Sequence, residues 1–594
     1  MRRTGKPTLW LLASCLGLAG LLTISGCNTG SREGSAKKST SAPGVNGTPA
    51  APAGPAPSGL AADLRVDANR DGALTADDEN GEDTWSATAG AVLLNNNDDD
   101  DGDGVRDGTD STMNGATDRD DMTPVLLLQA AQLTSQHQVT LNIDGNLARG
   151  RVRLFNDQGT VIYNPGAAVA NISPTDLAAG DVTIYMEARE GRSSTWDGDL
   201  TLTLTISDAN GPISQDVVAL RVAPVIFLDN TRPVDRVYVL EITDPAQNPN
   251  QGLMDPLNTR MPAGVDLYKA DGATYGFDRW VQDAMQQGYQ AKPGAVRRSN
   301  LQAMRPRPLD PLTPAITGAD TGHTWTGGMD SSHNYGGNLE ITPAYAGFPF
   351  GRIVIGGGQA GTLTAITLSD TMTQRQVDWL NAQEVQGPCF EVSSEWLIVG
   401  HIDETFIFLP DGQGGFHLYM ASPTLARQAL QALANSGQGS KKVFEGRSTE
   451  TTVQAMLNDQ PLLAFNQAAQ ARLDQIRDAL IGLVGIAASD VRYFPVLFEE
   501  YTAQGHAVAL NPGVQNLVCV NAPSGATTLF VPDPEGPNDN SGVDVWQEQI
   551  RQTLASTGFT IEFVDVFESY HELLGEAHCG TNTERQPYAK NWWD

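Results

Sequence analysis

The sequence predicts a mixed α+β protein in which an antiparallel β-sandwich precedes a region of alternating strands and helices. Short β-rich runs separated by turn signals fill residues 125–225, which is typical of a sandwich. From about Asp235 onward, strand-like and helix-like runs alternate, as in α/β and α+β folds. The chain has 594 residues, of which 40% are hydrophobic, so it is long enough for several domains with packed cores.

The charge balance restricts the partners of the chain. It carries 38 Lys and Arg against 70 Asp and Glu, a net charge of −32. Such a surface repels nucleic acid and attracts cations, so we expect no nucleic-acid partner. The five cysteines are too few for a disulfide scaffold, and their scattered spacing fits no zinc motif.

The N-terminus has the features of an export signal. Arg2 and Arg3 precede an apolar run over residues 9–22, and the sequence Ile-Ser-Gly-Cys follows at residues 24–27. This ending resembles a bacterial lipobox, in which the cysteine is lipidated. Residues 1–27 are therefore predicted to be a lipoprotein signal peptide, although an ordinary signal or an uncleaved anchor is the alternative.

A tether is predicted to follow the signal. Residues 28–60 are rich in Ala, Pro, Gly and Ser and show no apolar period, which indicates a flexible linker. With lipid on Cys27, the protein would be exported and membrane-anchored, in the periplasm or at the cell surface.

The first acidic loop lies at the start of the folded region. Asp67, Asn69 and Asp71 place oxygen side chains at alternate positions, and Gly72 follows at the expected sharp turn. Calcium prefers six to eight oxygen ligands, so this spacing predicts a calcium loop.

A second acidic cluster is denser. Residues 95–103 read NNNDDDDGD, and two registers of alternate oxygens are open, Asp99-Asp101-Asp103 and Asn96-Asp98-Asp100. Asp118, Asp120 and Asp121 lie close downstream. So many carboxylates repel one another unless a cation neutralises them, which favours calcium binding over a solvated acidic linker.

The predicted sandwich completes a domain over residues 61–225. Its β-rich runs are residues 139–143, 151–155, 182–186 and 200–206. Turn signals lie at residues 157–159 and 208–211.

Residues 226–594 are predicted to form the second domain. Its predicted strands include residues 237–242, 352–355 and 405–409, and its predicted helices include residues 424–433 and 463–484.

Three segments of the second domain carry polar side chains of the kinds used in catalysis, namely residues 278–289, 396–404 and 575–582. In the segment around Gly400, a strand would point His401 and Asp403 to the same face, next to a possible pocket. A half-exposed strand with a surface pair is the alternative. Cys579 follows His578 in a glycine-containing segment, although a single cysteine is often only a small buried hydrophobe.

Together these segments resemble the protein-arginine deiminase family. The resemblance rests on Trp-x-Gln-Asp-x-Met at Trp280, Gly-Asn-Leu-Glu at Gly337, Gly-His-x-Asp-Glu at Gly400 and His-Cys-Gly-Thr-Asn at His578. It extends upstream through the acidic cluster and covers the chain from about residue 61.

The resemblance implies a fold and a set of catalytic roles. The first domain would be a calcium-binding immunoglobulin-like β-sandwich, and the second a five-bladed α/β propeller, the pentein fold. Cys579 would be the nucleophile and His401 the general acid and base. Asp283 and Asp403 would hold the substrate guanidinium, and Trp280 would pack against the substrate arginine.

The resemblance also implies calcium as a cofactor. A site near the catalytic residues would use Gln282, Gln286, backbone oxygens of Gly336 and Leu339, and Glu340. The upstream sites would use Asn96, Asp98, Asp100, Asp118 and Asp121, which favours that register of the cluster, with Asp67, Asn69 and Asp71 as an additional loop. Gln286 and Ala284 stand where the family usually has Glu, so we expect one weakened site and the loss of its neighbour.

The sequence leaves the family's substrate-binding arginine open. Four candidates follow Tyr289, and spacing does not select among Arg297, Arg298, Arg305 and Arg307.

The function expected from the resemblance is calcium-dependent hydrolysis of arginine side chains to citrulline, with release of ammonia. Arginine-containing proteins or peptides would be the partners, and the oligomeric state stays open. One alternative is an amidinohydrolase acting on free arginine or a small guanidine. Another is a non-catalytic calcium-binding surface lipoprotein.

Overall fold

The structure is a computed structural model of the chain. It describes residues 59–303, 307–327, 331–358, 371–501 and 505–594. The predicted signal peptide, the lipidation at Cys27, almost all of the predicted linker and Arg305 lie outside the described residues.

The first described region contains ten strands and three short helices. The strands are β1 (Leu64–Arg65), β2 (Ala91–Leu93), β3 (Thr123–Leu127), β4 (Gln138–Asp144), β5 (Val152–Asn156), β6 (Val161–Tyr163), β7 (Ala170–Ile172), β8 (Val182–Ala188), β9 (Asp199–Asp208) and β10 (Gly211–Val222). The helices are α1 (Ala116–Asp121), α2 (Asn146–Arg149) and α3 (Pro174–Ala179).

These strands form two five-stranded sheets that share one core. The orders are β1-β3-β8-β5-β6 and β2-β10-β9-β4-β7, and every pair is antiparallel except β2 with β10. Alternate residues of both sheets, such as Leu154 and Leu202, belong to one cluster of buried side chains. The strands predicted over residues 139–206 are confirmed, since β4, β5, β8 and β9 cover them.

The second region mixes strands and helices. Its strands are β11 (Ile226–Phe227), β12 (Val234–Glu241), β13 (Asp266–Asp271), β14 (Met285–Gln286), β15 (Gly288–Lys292), β16 (Ala295–Gln302), β17 (Thr321–Trp325), β18 (Leu339–Ile341), β19 (Ile353–Gly357), β20 (Phe390–Ser393), β21 (Phe406–Pro410), β22 (Phe416–Ser422), β23 (Lys442–Val443), β24 (Thr451–Thr452), β25 (Val491–Pro495), β26 (Phe498–Glu500), β27 (Ala507–Ala509), β28 (Val518–Asn521), β29 (Thr527–Pro532), β30 (Thr560–Val564) and β31 (Thr581–Arg585). Its helices are α4 (Gln251–Arg260), α5 (Val281–Ala284), α6 (Leu312–Ala315), α7 (Gln374–Ala382), α8 (Pro423–Leu433), α9 (Val453–Asn458), α10 (Gln460–Val484) and α11 (Val545–Leu554).

Five sheets of this region repeat one pairing pattern. In each, a middle strand has a parallel neighbour and an antiparallel one, and the middle strands are β12, β16, β19, β22 and β29. β16 differs only in having two antiparallel neighbours, β14 and β15. The structure confirms the strands predicted at residues 237–242, 352–355 and 405–409, which correspond to β12, β19 and β21. It also confirms both predicted helices, which correspond to α8 and α10.

The longest helix, α10, is amphipathic. Its buried residues, such as Leu473 and Leu480, join the core cluster of β21 and β22. Within the described ranges, no helix is both long enough and apolar enough to span a bilayer.

The two regions contact each other through the acidic cluster. Asn97 donates hydrogen bonds from Nδ2 to Ser299 Oγ at 3.1 Å and to Thr324 Oγ1 at 3.0 Å. Ser299 lies in β16 and Thr324 in the neighbouring β17, so the cluster docks on a sheet of the second region. The domain boundary predicted at residues 225 and 226 falls between β10 and β11 and stays a prediction.

Candidate active site

Cys579 lies in the turn that precedes β31, and it is buried with 5% of its surface exposed. Its Sγ lies 3.7 Å from Asp403 Oδ2. The backbone of this turn is fixed to α5, because Gln282 N donates to the Cys579 carbonyl oxygen at 3.2 Å. The predicted nucleophile is therefore next to one of the two predicted substrate carboxylates.

The segment that carries His401 and Asp403 is not a strand, the case considered from the sequence. Ile402–Glu404 is a short 3-10 helix, and His401 is its N-cap, with its backbone N–H donating to Glu404 Oε1 at 2.9 Å. Gly400 interrupts the extended backbone with a φ of +81°, a conformation that favours glycine. A short helix therefore replaces the strand considered from the sequence, and it still places His401 and Asp403 close together beside Gly337.

Gly337 makes this arrangement possible. A Cβ on Gly337 would lie 2.6 Å from His401 Nδ1 and 3.1 Å from Asp403 Oδ2. Only a residue without a side chain therefore lets the backbone of this segment approach both groups. This close approach gives the glycine of the Gly-Asn-Leu-Glu motif a physical reason.

The histidine has a defined orientation. His401 Nε2 lies 2.9 Å from the carbonyl oxygen of Ser332, so Nε2 carries the proton and donates. Nδ1 lies 3.6 Å from Asp283 Oδ1, and among the described residues Nδ1 is buried without a hydrogen-bond partner. Nδ1 is consequently the nitrogen that can take and give a proton.

Trp280 and Asp283 come from the start of α5. Asp283 lies within the helix and is buried, and Trp280 is its N-cap. The Trp280 ring packs edge-on against Tyr570, with centroids 5.8 Å apart, and a Cβ on Gly575 would collide with that ring and lie 3.2 Å from Cys579 Cβ. Trp280 thus lines the surroundings of Cys579, as its predicted contact with the substrate requires.

The electrostatics of the site hold the thiol protonated. Burial raises the pKa of the Cys579 thiol well above its ordinary value, and the charges of Asp403 and Asp283 raise it further. A cation placed between these carboxylates and the sulfur would counteract the rise. A cationic group bound beside the sulfur would therefore favour the thiolate form of Cys579.

Asn516 is a member of the site that sequence reasoning missed. Its Nδ2 lies 3.3 Å from Cys579 Sγ, and its Oδ1 accepts from the backbone N–H of Cys579 at 3.1 Å. Its carbonyl oxygen accepts from the N–H of His578 at 3.0 Å. Asn516 lies outside all the quoted motifs, so no signal in the sequence marked it.

His578 was quoted as part of a motif but received no role. Its Nδ1 lies 2.9 Å from Asp403 Oδ2. Burial opposes the charged form of His578, but the hydrogen bond and the charge of Asp403 outweigh it, so its pKa is raised. His578 therefore fixes one oxygen of Asp403, while Oδ1 of Asp403 is buried and has no hydrogen-bond partner within the described residues.

The predicted calcium ligands beside α5 gather around a small cavity. Its volume is about 20 Å³, enough for one water or ion, and it is lined by Gln282, Gln286, Leu339 and Glu340 among others. The fifth ligand, Gly336, accepts a hydrogen bond from Gln282 Nε2 at 3.4 Å. Gln286 Oε1 is buried without a hydrogen-bond partner among the described residues, and burial raises the pKa of Glu340 to about 7. These oxygen donors fit a calcium ion.

The upstream acidic cluster gathers most of its predicted ligands. The carboxylates of Asp98, Asp100 and Asp121 lie close enough to share an ion, and so do those of Asp100, Asp107 and Asp118. Asp107 was absent from the predicted set. Asn96 donates from Nδ2 to Asp118 Oδ1 at 2.9 Å.

The other predicted register is also compact. Asp99, Asp101 and Asp103 form a separate group near the surface. Carboxylates of both predicted registers therefore lie close enough together to hold an ion.

The additional loop near the start of the sandwich is closed by its own backbone. Asp67 Oδ1 accepts from the N–H of Asp71 at 3.0 Å, and Asp67 Oδ2 from the N–H of Gly72 at 3.1 Å. Asn69 Oδ1 also accepts from the N–H of Asp71, at 2.9 Å. The calcium role of this loop stays a prediction.

Three of the four candidate substrate arginines are engaged elsewhere. Arg297 is buried in the acidic cluster, 2.5 Å from Asp98 Oδ1. Arg298 pairs with Asp235 at 2.6 Å, and Arg307 donates from Nε to Asp278 Oδ2 at 2.9 Å. Arg297 is thereby separated from the catalytic residues.

Comparison with known proteins assigns the family. The model of the protein-arginine deiminase domain matches residues 212–594, and the model of the protein-arginine deiminase middle domain matches residues 61–207. The first match alone covers more than half of the chain. The protein therefore belongs to the protein-arginine deiminase family, as the motifs predicted.

Individual relatives are moderately similar. Rat protein-arginine deiminase type-3 is 33% identical over 431 residues, which are 69% of this chain and 62% of the relative. Human protein-arginine deiminase type-1 is 29% identical over 568 residues, 90% of this chain and 82% of the relative. The chain thus spans less than two thirds of the length of the rat relative.

Similar solved structures include two agmatine deiminases. That of Enterococcus faecalis has a TM-score of 0.32 and 11% identity, covering 61% of this chain and 96% of that one. That of C. jejuni has a TM-score of 0.34 and 11% identity, covering 61% and 97%. These TM-scores are too low to support an assignment. The family is therefore assigned from the sequence matches, and the fold is described from the strand pairing.

Proposed function

We propose that the protein hydrolyses arginine side chains of proteins or peptides to citrulline and ammonia. The convergence of Cys579, Asp403, His401 and Asp283 in one buried site carries this proposal. Membership of the family supports it. We also propose the finer fold expected from the resemblance, with an immunoglobulin-like sandwich and the five repeated sheets as propeller blades.

The two carboxylates would grip the substrate guanidinium, a planar cation with several N–H donors. Asp403 offers its buried Oδ1, because Oδ2 faces His578. Asp283 Oδ1 lies 3.6 Å from His401 Nδ1. Their charges would hold the carbon of the guanidinium beside Cys579 and draw positive charge to it, while Trp280 packs on the aliphatic stem.

The first half-reaction forms a covalent amidino-thioether. The sulfur of Cys579 attacks the guanidinium carbon, and the thiol proton passes to His401 Nδ1. The C–N bond then breaks, and the departing ammonia takes the proton from Nδ1. The charge of the bound substrate favours the thiolate, which offsets the raised pKa of Cys579.

The second half-reaction releases citrulline. A water adds to the same carbon and gives a proton to His401 Nδ1. The C–S bond breaks, and the hydroxyl proton of the adduct passes to the sulfur of Cys579 as the carbonyl of citrulline forms. His401 Nδ1 returns its proton to the solvent, where the released ammonia becomes ammonium. Asn516 would stabilise the departing sulfur through its Nδ2 donor at 3.3 Å.

Calcium would be held by Gln282, Gln286, Gly336, Leu339 and Glu340. The ion would supply positive charge at the buried carboxylate of Glu340 and would order α5. Gln282 and Asp283 are consecutive in α5, so fixing the first also fixes the second. The amide of Gln286 is a weaker donor than a carboxylate, so we expect this ion to bind weakly.

We further propose that the protein is an exported lipoprotein held to a membrane by lipid on Cys27, with residues 28–60 as its tether. A net charge of −32 supports recognition of arginine-rich, basic proteins rather than nucleic acid.

The test is citrulline formation by the full chain from a peptide with a blocked N-terminus and C-terminus and one arginine, with calcium and with chelator. Free arginine and agmatine serve as competing substrates, and Cys579→Ser as the control without a nucleophile. We expect calcium-dependent turnover of the peptide and none by Cys579→Ser. Turnover only of the small guanidines would favour the amidinohydrolase alternative, and no turnover by a folded chain would favour a calcium-binding lipoprotein.

A further inference from the structure

The acidic cluster already contains a cation of the chain itself. Arg297 Nη1 lies 2.5 Å from Asp98 Oδ1 and 2.8 Å from Asp121 Oδ2, and it donates to Asn96 Oδ1 at 3.2 Å. The Arg297 side chain is 2% exposed. All three partners were predicted to bind calcium. The Arg297 guanidinium therefore occupies the position predicted for that ion.

Arg297 and a calcium ion between Asp98 and Asp121 exclude each other. Calcium requires its oxygen ligands at about 2.3–2.6 Å. The guanidinium nitrogen lies at a comparable distance from one oxygen of each carboxylate, so it fills the space where such an ion would sit. The predicted ligand set therefore does not fit calcium at this half of the cluster.

The other half of the cluster lacks such a partner. Both carboxylate oxygens of Asp100 are buried and have no hydrogen-bond partner among the described residues. Burial raises the pKa of Asp100 to about 7, and the charges of Asp121 and Asp107 add to the rise. The single charge of Arg297 thus neutralises only part of the cluster.

We propose that Arg297 is a resident cation that replaces calcium between Asp98 and Asp121 and holds the sandwich to the second region without metal. Arg297 projects from β16, whereas its carboxylate partners belong to the first region. Lys292 reinforces the contact by donating from Nζ to the carbonyl oxygen of Met122 at 2.6 Å.

The contact continues toward the catalytic residues along β16. Arg297 pairs with Gln290 of β15, and five residues further on Gln302 pairs with Met285 of β14. Met285 directly follows α5, which carries Asp283. The strand register that positions Asp283 is therefore tied to the acidic cluster by an ion pair within the chain.

The experiment measures bound calcium per full chain by equilibrium dialysis, together with the melting temperature in chelator and in calcium. Arg297→Met removes the charge and keeps much of the volume. We expect it to bind one more calcium ion than the unmodified chain, to melt at a lower temperature in chelator and to regain stability in calcium. Arg221→Met is the matched control, since Arg221 pairs with Asp199 outside the cluster and should leave the calcium count unchanged. An Arg297→Met variant with the unmodified count would overturn the proposal.

A second variant covers the case in which Arg297→Met does not fold. Asp121→Asn removes one partner of Arg297 and keeps the shape of the side chain. With Arg297 as the resident cation, Asp121→Asn binds as many calcium ions as the unmodified chain. The loss of one ion would show that Asp121 ligates calcium, which contradicts the proposal. Neither readout depends on deimination, so the proposed reaction and this inference fail separately.

Discussion

Two places in the molecule surround a guanidinium position with carboxylates, and they differ in what supplies the guanidinium. In the acidic cluster, Asp98 and Asp121 hold Arg297 of the same chain. In the proposed active site, Asp283 and Asp403 lie near Cys579, and among the described residues no arginine or lysine forms an ion pair with Asp403. The same chemistry therefore makes an ion pair within the chain in one place and, in the proposed reaction, would bind the substrate in the other.

The two carboxylate pairs differ in the group on which their charges act. In the cluster, the cation is a side chain of the protein itself. The ion pair is therefore a fixed structural contact. In the active site, the two charges raise the pKa of the Cys579 thiol until a cation arrives. In the proposed reaction, substrate binding and activation of Cys579 would thus be linked, because one cation would interact with both carboxylates and the sulfur.

The largest effect is expected from removing one of the substrate carboxylates. Asp403→Asn should lower kcat/KM roughly 100-fold or more, because an electrostatic contact aimed at the reacting group is lost. It should also lower the pKa of Cys579, since Asp403 raises it. The rate of thiol alkylation by iodoacetamide, measured against pH, should therefore reach its midpoint at lower pH.

The cluster provides the matched control for that change. Asp98→Asn removes the same charge beside Arg297 and should leave the alkylation profile of Cys579 where it is. If both variants shift the profile equally, the two carboxylate pairs are electrostatically connected and the comparison fails.

An intermediate effect is expected at Asn516. Asn516→Ala removes the donor at 3.3 Å from Cys579 Sγ, so the thiolate loses a hydrogen bond. We expect kcat to fall roughly 10-fold and the alkylation midpoint to move to higher pH, opposite to Asp403→Asn. Asn521→Ala, at the end of β28, is the control, because Asn521 donates to the carbonyl oxygen of Asn230 instead. An unchanged midpoint in Asn516→Ala would contradict a hydrogen bond to the thiolate. Asn516 would then act only through its hydrogen bonds to the backbone around Cys579.

The smallest effect concerns stability at Glu340. Burial raises the pKa of Glu340 from 4.5 to about 7, so its ionised form opposes folding. Its contribution to stability is present below pH 4.5 and is lost as pH rises through about 7. In chelator, the melting temperature of Glu340→Gln should therefore fall less between pH 5 and pH 8 than that of the unmodified chain, by a few degrees. Parallel curves would mean that Glu340 does not ionise in this interval.

Calcium reverses this pH dependence where it binds. A bound ion stabilises the ionised carboxylate, so the calcium-induced rise in melting temperature should grow from pH 5 to pH 8. Glu340→Gln should lose most of that growth.

Much of the architecture was predictable because it rests on local periodicity. Alternation along residues 200–206 gave β9, and the apolar period of residues 463–484 gave α10. The turn at His401 was not predictable in the same way. A left-handed Gly400 and the close approach of Gly337 decide it, and Gly337 is distant in sequence.

The site was predictable only as far as its motifs reached. Cys579, His401, Asp283 and Asp403 were marked by the family resemblance, and the structure brings them together. Asn516 and the role of Arg297 depend on contacts across 63 and 199 residues respectively, which composition and spacing do not reveal.

The pairing of β12 with β31 has a consequence for folding kinetics. Tyr238 and Glu584 are 346 positions apart, and their side chains meet where the two strands pair. Bringing such distant segments together has a large loop-closure entropy and makes a contact form slowly. Cys579 lies in the turn that enters β31, so its position among its partners depends on this long-range pairing. We therefore expect protection of this thiol from alkylation during refolding to report when β12 and β31 pair.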